Sequence, residues 1–202
     1  MGSRANKRSW LGAGAWLALA LVAAGCIEVP KPKPKGALDV RDVESSPGMV
    51  LETTCVPTGV ERCFDALDDN CNGVIDEGCG VHTGLLQFTI AWQQAAVDVD
   101  LEVTGPDGDQ ARADRPTSAG LLKDRDCPGH RNMCHGQNIE NVFLAEGKPR
   151  RGRYRVSVQL KDIKSAQAPI KVRLSARVGQ RHFSSVVELT EKVEERDFEF
   201  TL

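Results

Sequence analysis

From Gly84 to Leu202 apolar and polar residues alternate with a period of two. Leu86, Phe88, Ile90 and Trp92 share one face of an extended segment, and Val97, Val99, Leu101 and Val103 share another. The pattern returns in Tyr154, Val156, Val158 and Leu160, and again in Ile170, Val172, Leu174 and Ala176. Such alternation predicts strands with one face in a core and one in water. Further strands are expected over 140–145 and 183–189 and in the closing Phe198, Phe200 and Leu202, and Gly105-Pro106-Asp107-Gly108 reads as a tight turn. No apolar stripe at helical spacing lasts three turns. Seven or so short strands in roughly 120 residues predict a mainly β fold, an antiparallel β-sandwich over 84–202. Burying about a dozen large apolar side chains at roughly 1.5–3 kcal/mol each gives tens of kcal/mol before chain entropy is subtracted, enough for this domain to fold independently of what precedes it.

The N-terminal 25 residues follow a different pattern. A basic start, with Arg4, Lys7 and Arg8, precedes an apolar run from Trp10 to Ala24 that is too short for a bilayer-spanning helix and ends in small residues. This predicts a removable export signal over 1–25. Leu21-Val22-Ala23-Ala24-Gly25-Cys26 resembles the bacterial lipobox, which implies that Cys26 is lipidated and becomes the mature N-terminus, attaching the chain to a membrane. Ile27 after the cysteine, where an acidic residue would favour inner-membrane retention, points to the outer membrane. Residues 26–52 then read as a tether: Pro30, Pro32 and Pro34 alternate with Lys31, Lys33 and Lys35, which favours an extended, solvated spacer without packed structure.

Export changes how cysteine is read. Setting Cys26 aside leaves Cys55, Cys63, Cys71, Cys79, Cys127 and Cys134, an even set in an oxidising compartment, so three disulfides are expected. Separation in sequence pairs Cys127 with Cys134, while the other four admit three pairings. Cys127, Cys134, His130 and His135 could instead supply a zinc site, but the compartment favours the bridge.

Between the tether and the sandwich, 53–80 forms a small Cys/Asp-rich module. Asp68, Asn70 and Asn72 stand at alternate positions, followed by Gly73, Val74, Asp76 and Glu77. In a helix–loop–helix calcium loop the ligands occupy positions 1, 3, 5, 7 and 9 with glycine at 6, and Asp68, Asn70, Asn72, the Val74 carbonyl and Asp76 match that spacing. Position 12 is Cys79, which cannot replace a bidentate glutamate, so Glu77, Asp65 or water must complete the shell. Two asparagines lower the charge, and calcium affinity is expected on the order of 0.1–1 mM. The alternative is a disulfide-closed acidic knot without metal. Cys63-Phe64-Asp65-Ala66-Leu67-Asp68-Asp69-Asn70-Cys71-Asn72-Gly73-Val74-Ile75-Asp76-Glu77-Gly78-Cys79 resembles the MopE-type Cys/Asp-rich metal-binding motif of bacterial surface proteins and is distantly similar to thrombospondin type 3 calcium repeats. One member of the family is associated with copper. Here the segment has no His or Met, so oxygen ligands favour calcium.

The run Trp92 to Gly108, with Asp98-Val99-Asp100-Leu101 at its centre, resembles the signature of YfaP-like secreted β-sandwich domains. Asn138-Ile139-Glu140-Asn141-Val142 and Gly152-Arg153-Tyr154-Arg155-Val156 look like further segments of it. The resemblance implies a fold rather than an activity. Asp98, Asp100 and Glu102 should project opposite the valines, about 7 Å apart. With Asp124 and Asp126 from the loop before Cys127, Asp98 and Asp100 could form a second metal site; a solvated polar face is the plainer reading.

The formal charge is −2, from 26 basic and 28 acidic residues. Losing Arg4, Lys7 and Arg8 with the signal leaves 23 basic against 28 acidic, a balance of −5, which argues against a nucleic-acid partner. No nucleophile elbow, His-Glu-x-x-His pair or phosphate loop is present, so no enzyme is expected. The expected function is that of a cell-envelope surface lipoprotein with a calcium-binding, disulfide-braced module and a β-sandwich for an envelope protein or glycan. A purely structural component and a copper or other metal scavenger are the alternatives.

Overall fold

The computed structural model describes residues 43–95, 97–128, 134 and 136–202. The expected export signal, Cys26 and most of the tether lie outside the described residues, as do His130 and His135. Ten strands follow one another: β1 (Glu44–Ser45), β2 (Val50–Glu52), β3 (Leu86–Trp92), β4 (Asp98–Thr104), β5 (Leu121–Asp126), β6 (Ile139–Leu144), β7 (Arg153–Asp162), β8 (Ile170–Val178), β9 (Arg181–Leu189) and β10 (Glu195–Thr201). There is no helix among the described residues.

The strands form two antiparallel sheets packed face to face. One has the order β1-β10-β7-β4, the other β2-β9-β8-β3-β6-β5. Period-two alternation sends Phe88, Ile90, Leu174 and Phe183 from the larger sheet and Val99, Leu101, Val156 and Phe200 from the smaller into one core. Phe200 sits among aromatic partners, its ring centroid 5.5 Å from Phe88 and 5.4 Å from Phe183. The turn after β4 closes where its Gly and Pro indicated, with the Gly108 N–H donating to the Gly105 carbonyl at 3.0 Å.

Three features depart from the sequence reading. The tether is shorter than 26–52: β1 pairs with β10 and β2 with β9, and Val43 and Met49 enter the core. Two- and three-residue strands carry too little alternation to stand out from a polar linker. β5 was likewise not foreseen, because its residues Lys123 to Asp126 are all charged.

The third departure concerns burial. β3 and β6 are buried at every position, whereas one solvated face was expected. The Cys/Asp-rich module lies on the outer face of the larger sheet and covers it. Gln87 Nε2 donates to the Ile75 carbonyl at 3.1 Å, Ser175 Oγ to the Ala66 carbonyl at 2.5 Å, and a His182 ring nitrogen lies 2.9 Å from the Gly73 carbonyl. Outward-facing polar side chains thus meet module backbone in place of water. Thr89 Oγ1 and Gln87 Nε2 both donate to Asn141 Oδ1, at 2.8 and 3.3 Å, and Asn141 Nδ2 donates to the His82 carbonyl at 2.8 Å.

Candidate metal centre

The four module cysteines pair in an interleaved pattern, Cys55 with Cys71 and Cys63 with Cys79, each across 16 residues. The third disulfide joins Cys127 and Cys134. With all six oxidised, no thiolate remains for a soft metal among the described residues, and the Cys-His zinc alternative loses its two sulfur ligands.

Within the bridged knot the backbone folds tightly. Phe64, Ala66, Cys71 and Asp76 all adopt positive φ, between 51° and 69°. A left-handed residue other than glycine is held only where its surroundings over-determine it. Asp76 supplies much of that restraint. Its buried carboxylate accepts the N–H groups of Phe64 (2.6 Å), Asp65 (3.3 Å) and Ala66 (3.0 Å), and burial pushes its pKa up to about 6 against those three donors. This use differs from the expected ninth-position ligand, because both oxygens are turned toward the preceding turn.

Asp68 stands where the loop spacing put it. Its Oδ1 accepts the Asn72 N–H at 3.0 Å and its Oδ2 the Gly73 N–H at 2.8 Å, which curls the loop around the carboxylate. Gly73, at φ +91°, takes the sharp turn that the motif assigns to glycine. Asn70 Oδ1 and Asn72 Oδ1 accept the N–H two residues on, at 3.0 and 2.9 Å, so both make Asx turns, while the Nδ2 of each donates to Glu77 Oε1. Val74 follows at the loop's end, its N–H bonded to Asn72.

The residue that sequence spacing missed is Glu61. Single carboxylate oxygens of Glu61, Asp68 and Glu77 lie within 4.8 Å of one another. Glu61 precedes the twelve-residue loop, and only the Cys63–Cys79 closure brings it back. It holds the knot together by accepting the Asp69 N–H at 3.1 Å and the Asp76 N–H at 2.9 Å. Burial and then the nearby Glu77 carboxylate push its pKa up to about 7. Carboxylates this close repel one another, and a proton or a cation between them relieves that repulsion. Glu77 Oε2 is a buried acceptor without a hydrogen-bond partner among the described residues. The donor set is oxygen only, which suits a hard divalent cation: Glu61, Asp68 and Glu77 could hold it, whereas the Asn70 and Asn72 oxygens are engaged in Asx turns. Asp69, by contrast, faces the other way. Hydrogen bonds from Arg62 and Thr58 keep its carboxyl below the usual carboxylate range.

The possible second site, on Asp98, Asp100, Asp124 and Asp126, is only partly assembled. Asp100 and Asp126 converge, but the third carboxylate within 4.8 Å is Glu140 rather than Asp124. A β-bulge between Lys123 and Arg125 breaks the alternation and turns Asp124 to the opposite face. There it accepts the His82 backbone N–H at 2.8 Å and lies 2.7 Å from His82 Nδ1, on a ring stacked against Phe143. Asp98 borders the cluster, its pKa raised by burial and then by Asp100 and Asp126. An internal cation already serves this cluster: Lys123 Nζ lies 2.8 Å from Asp126 and 2.9 Å from Glu140, and Lys161 lies 3.4 Å from Asp100. Burial alone would lower the Lys123 ammonium, but Glu140 and Asp126 outweigh it and hold it above the ordinary lysine value. Glu140 also accepts the Leu101 N–H at 2.5 Å, which satisfies a donor on the edge strand β4. The arrangement is that of an ionic clasp between the sheets, in which Lys123 and Lys161 offset part of the acidic charge.

His182 on β9 meets the Gly73 carbonyl of the module, and His82, between the module and β3, offers its carbonyl to Asn141 on β6. No protein-family profile, no curated protein and no solved structure matches this chain.

Proposed function

We propose that this is a non-enzymatic, lipid-anchored protein of the bacterial cell envelope whose knot binds calcium, so that the ion locks the knot over the larger sheet. The anchoring half of the reading rests on the export signal and lipobox resemblance ending at Cys26. The sandwich is then held at the outer membrane to engage an envelope protein or glycan. The observation that carries the metal reading is the convergence of Glu61, Asp68 and Glu77 with a buried, unpartnered Glu77 oxygen. The resemblance of 63–79 to the MopE-type motif points the same way, and the absence of His, Met and free thiols from the knot favours calcium over copper.

Calcium titration of the whole protein after chelator treatment tests this. The expected result is a single site with Kd on the order of 0.1–1 mM, weaker magnesium binding and no tighter copper binding. Glu77→Gln and Glu61→Gln should each weaken calcium at least about tenfold, the loss of one charged ligand, while Asp124→Asn leaves it unchanged. No calcium-dependent heat and no rise in melting temperature would reject the metal. The second reading, a metal-free structural knot, is favoured by the Asn70 and Asn72 amide N–H groups on Glu77, which give that carboxylate partners without an ion.

A further inference from the structure

The three disulfides sit in different surroundings. Cys127 and Cys134 are both buried, 0% and 7% exposed, in a small apolar cluster with Val81 and Ile139. Cys63 is exposed, but its partner Cys79 packs against that same cluster, as does Phe64. Cys55–Cys71 has no such anchor. Cys55 stands in a run, 51–60, that is exposed at every position, and Cys55 and Cys71 belong to neither apolar cluster among the described residues. The run re-enters the knot at Thr58, whose N–H donates to the Asp69 carbonyl at 2.9 Å and whose hydroxyl donates to Asp69 Oδ1 at 2.7 Å. Both knot bridges span 16 residues, so loop-closure entropy cannot rank them. Access and the fate of the leaving sulfur can. Attack at Cys63 expels the Cys79 thiolate against an apolar cluster, where a thiolate is disfavoured, whereas attack at Cys55 expels Cys71 into a partly exposed polar loop.

Cys71 lies inside the loop that curls around Asp68, between Asn70 and Asn72, and holds φ at +61°. A cysteine stays in that left-handed region only under restraint, and its bridge to Cys55 is one of the restraints. We propose that the Cys55–Cys71 disulfide is a thiol-sensitive latch on the cation loop, opened by a dithiol reductant ahead of the other two bridges while the sandwich stays folded. A thiolate of the reductant attacks Cys55 Sγ, forms a mixed disulfide and releases the Cys71 thiolate, which takes up a proton. The second thiol of the reductant then displaces Cys55 as a thiol. Two electrons and two protons pass to the protein, and the dithiol leaves as a disulfide. The rest of the knot keeps its holds. Cys63–Cys79, the three N–H bonds to Asp76 and the contacts of Ala66, Gly73 and Ile75 with the larger sheet involve neither Cys55 nor Cys71. What loosens is 70–72, where the Asn72 N–H holds Asp68 and the two carboxamides hold Glu77. Binding gains from preorganised ligands, so an open latch weakens the cation site. That consequence rests on the proposed calcium site; selective opening of the bridge does not.

The test treats the whole protein with graded dithiothreitol, in chelator and without denaturant, followed by alkylation and peptide mass mapping. Cys55 and Cys71 should become alkylated over a range of reductant in which the other four cysteines stay bridged. In that range, without alkylation, amide exchange should speed at least about tenfold at Asn72, Gly73 and Val74 and stay unchanged in β3 and β6. In calorimetry the reduced protein should bind calcium at least about fivefold more weakly, and reoxidation should restore the affinity. The paired variant Cys55→Ser/Cys71→Ser should reproduce the reduced state without reductant, which separates the open bridge from any other action of dithiothreitol. Opening of Cys63–Cys79 or Cys127–Cys134 first, loss of β3 and β6 protection in the reduced protein or the variant, unchanged exchange at 72–74, or equal calcium affinity in both forms would each overturn the latch. Should the oxidised protein bind no calcium while the bridge opens selectively and loop exchange quickens, the metal reading alone is removed. Calcium binding by an oxidised protein whose bridges open together removes the latch alone.

Discussion

The two sheets present outer faces of opposite character. On the smaller sheet the outward positions of β4 and β10 are Asp98, Asp100 and Glu102, and Glu195, Asp197 and Glu199. On the larger sheet the outward positions of β3 and β6 are Gln87, Thr89 and Ala91, and Ile139, Asn141 and Phe143. Both sets alternate with core residues, so periodicity cannot separate them. Their chemistry can. Carboxylates keep water, because burying an unpaired charge is prohibitive, whereas hydroxyls and carboxamides can exchange water for the carbonyls of a covering segment. A strand whose outward residues are uncharged, apolar or hydrogen-bonding, is a strand that expects a cover.

The largest break in this comparison comes from loosening the cover. Replacing both members of the Cys63–Cys79 bridge with serine should cost about 3 kcal/mol in urea unfolding, as closure of a loop of this length implies. It should also speed amide exchange in β3 and β6 more than in β4 and β10. Uniform acceleration across both sheets would show that the knot is not a selective cover. Next in size, Asn141→Ala strands the Thr89 hydroxyl and the His82 carbonyl, and about 2–3 kcal/mol of stability should be lost, measured by the same unfolding curve. Glu199→Ala on the open face should stay within about 0.5 kcal/mol. A comparable loss at both sites would erase the distinction between the faces.

The proposed calcium would sharpen the contrast at a smaller magnitude. At a concentration about thirty times its Kd the ion should add about 2 kcal/mol to stability, with protection gained in the knot and in the β3 and β6 amides beneath it. Protection confined to the knot would mean that the ion and the sheet are uncoupled. The smallest expected effect lies in the ionic clasp on the other side of the molecule. Asp98→Asn removes a like charge from beside Asp100 and Asp126 and should raise stability by no more than about 0.5 kcal/mol. A clear loss of stability would mean that Asp98 serves a cation there after all.

Much of the sandwich was legible because its strands of seven or more residues repeat apolar side chains on one face. β1, β2 and β5 were not, since two or three residues, or a run of charges, carry no usable period. Asp68, Asn70, Asn72 and Glu77 could be placed on one loop by spacing alone. Asp76 could not be told from a ligand, because its hydrogen bonds run back to Phe64, Asp65 and Ala66 through a left-handed turn that no spacing rule describes. Glu140 lay hidden within a β motif, its role visible only once β6 meets β4 across the sandwich edge.

The sequence by itself determined that this chain is a β protein with a bridged acidic loop, because alternation, turn residues and ligand spacing are local properties written at neighbouring positions. Tertiary structure alone decided which cysteines pair, which carboxylates converge and which face of a strand stays wet. Those outcomes depend on segments far apart in the chain. Glu61 reaches Asp68 and Glu77 only after the knot closes, and Gln87 meets Ile75 only after the knot settles on the sheet.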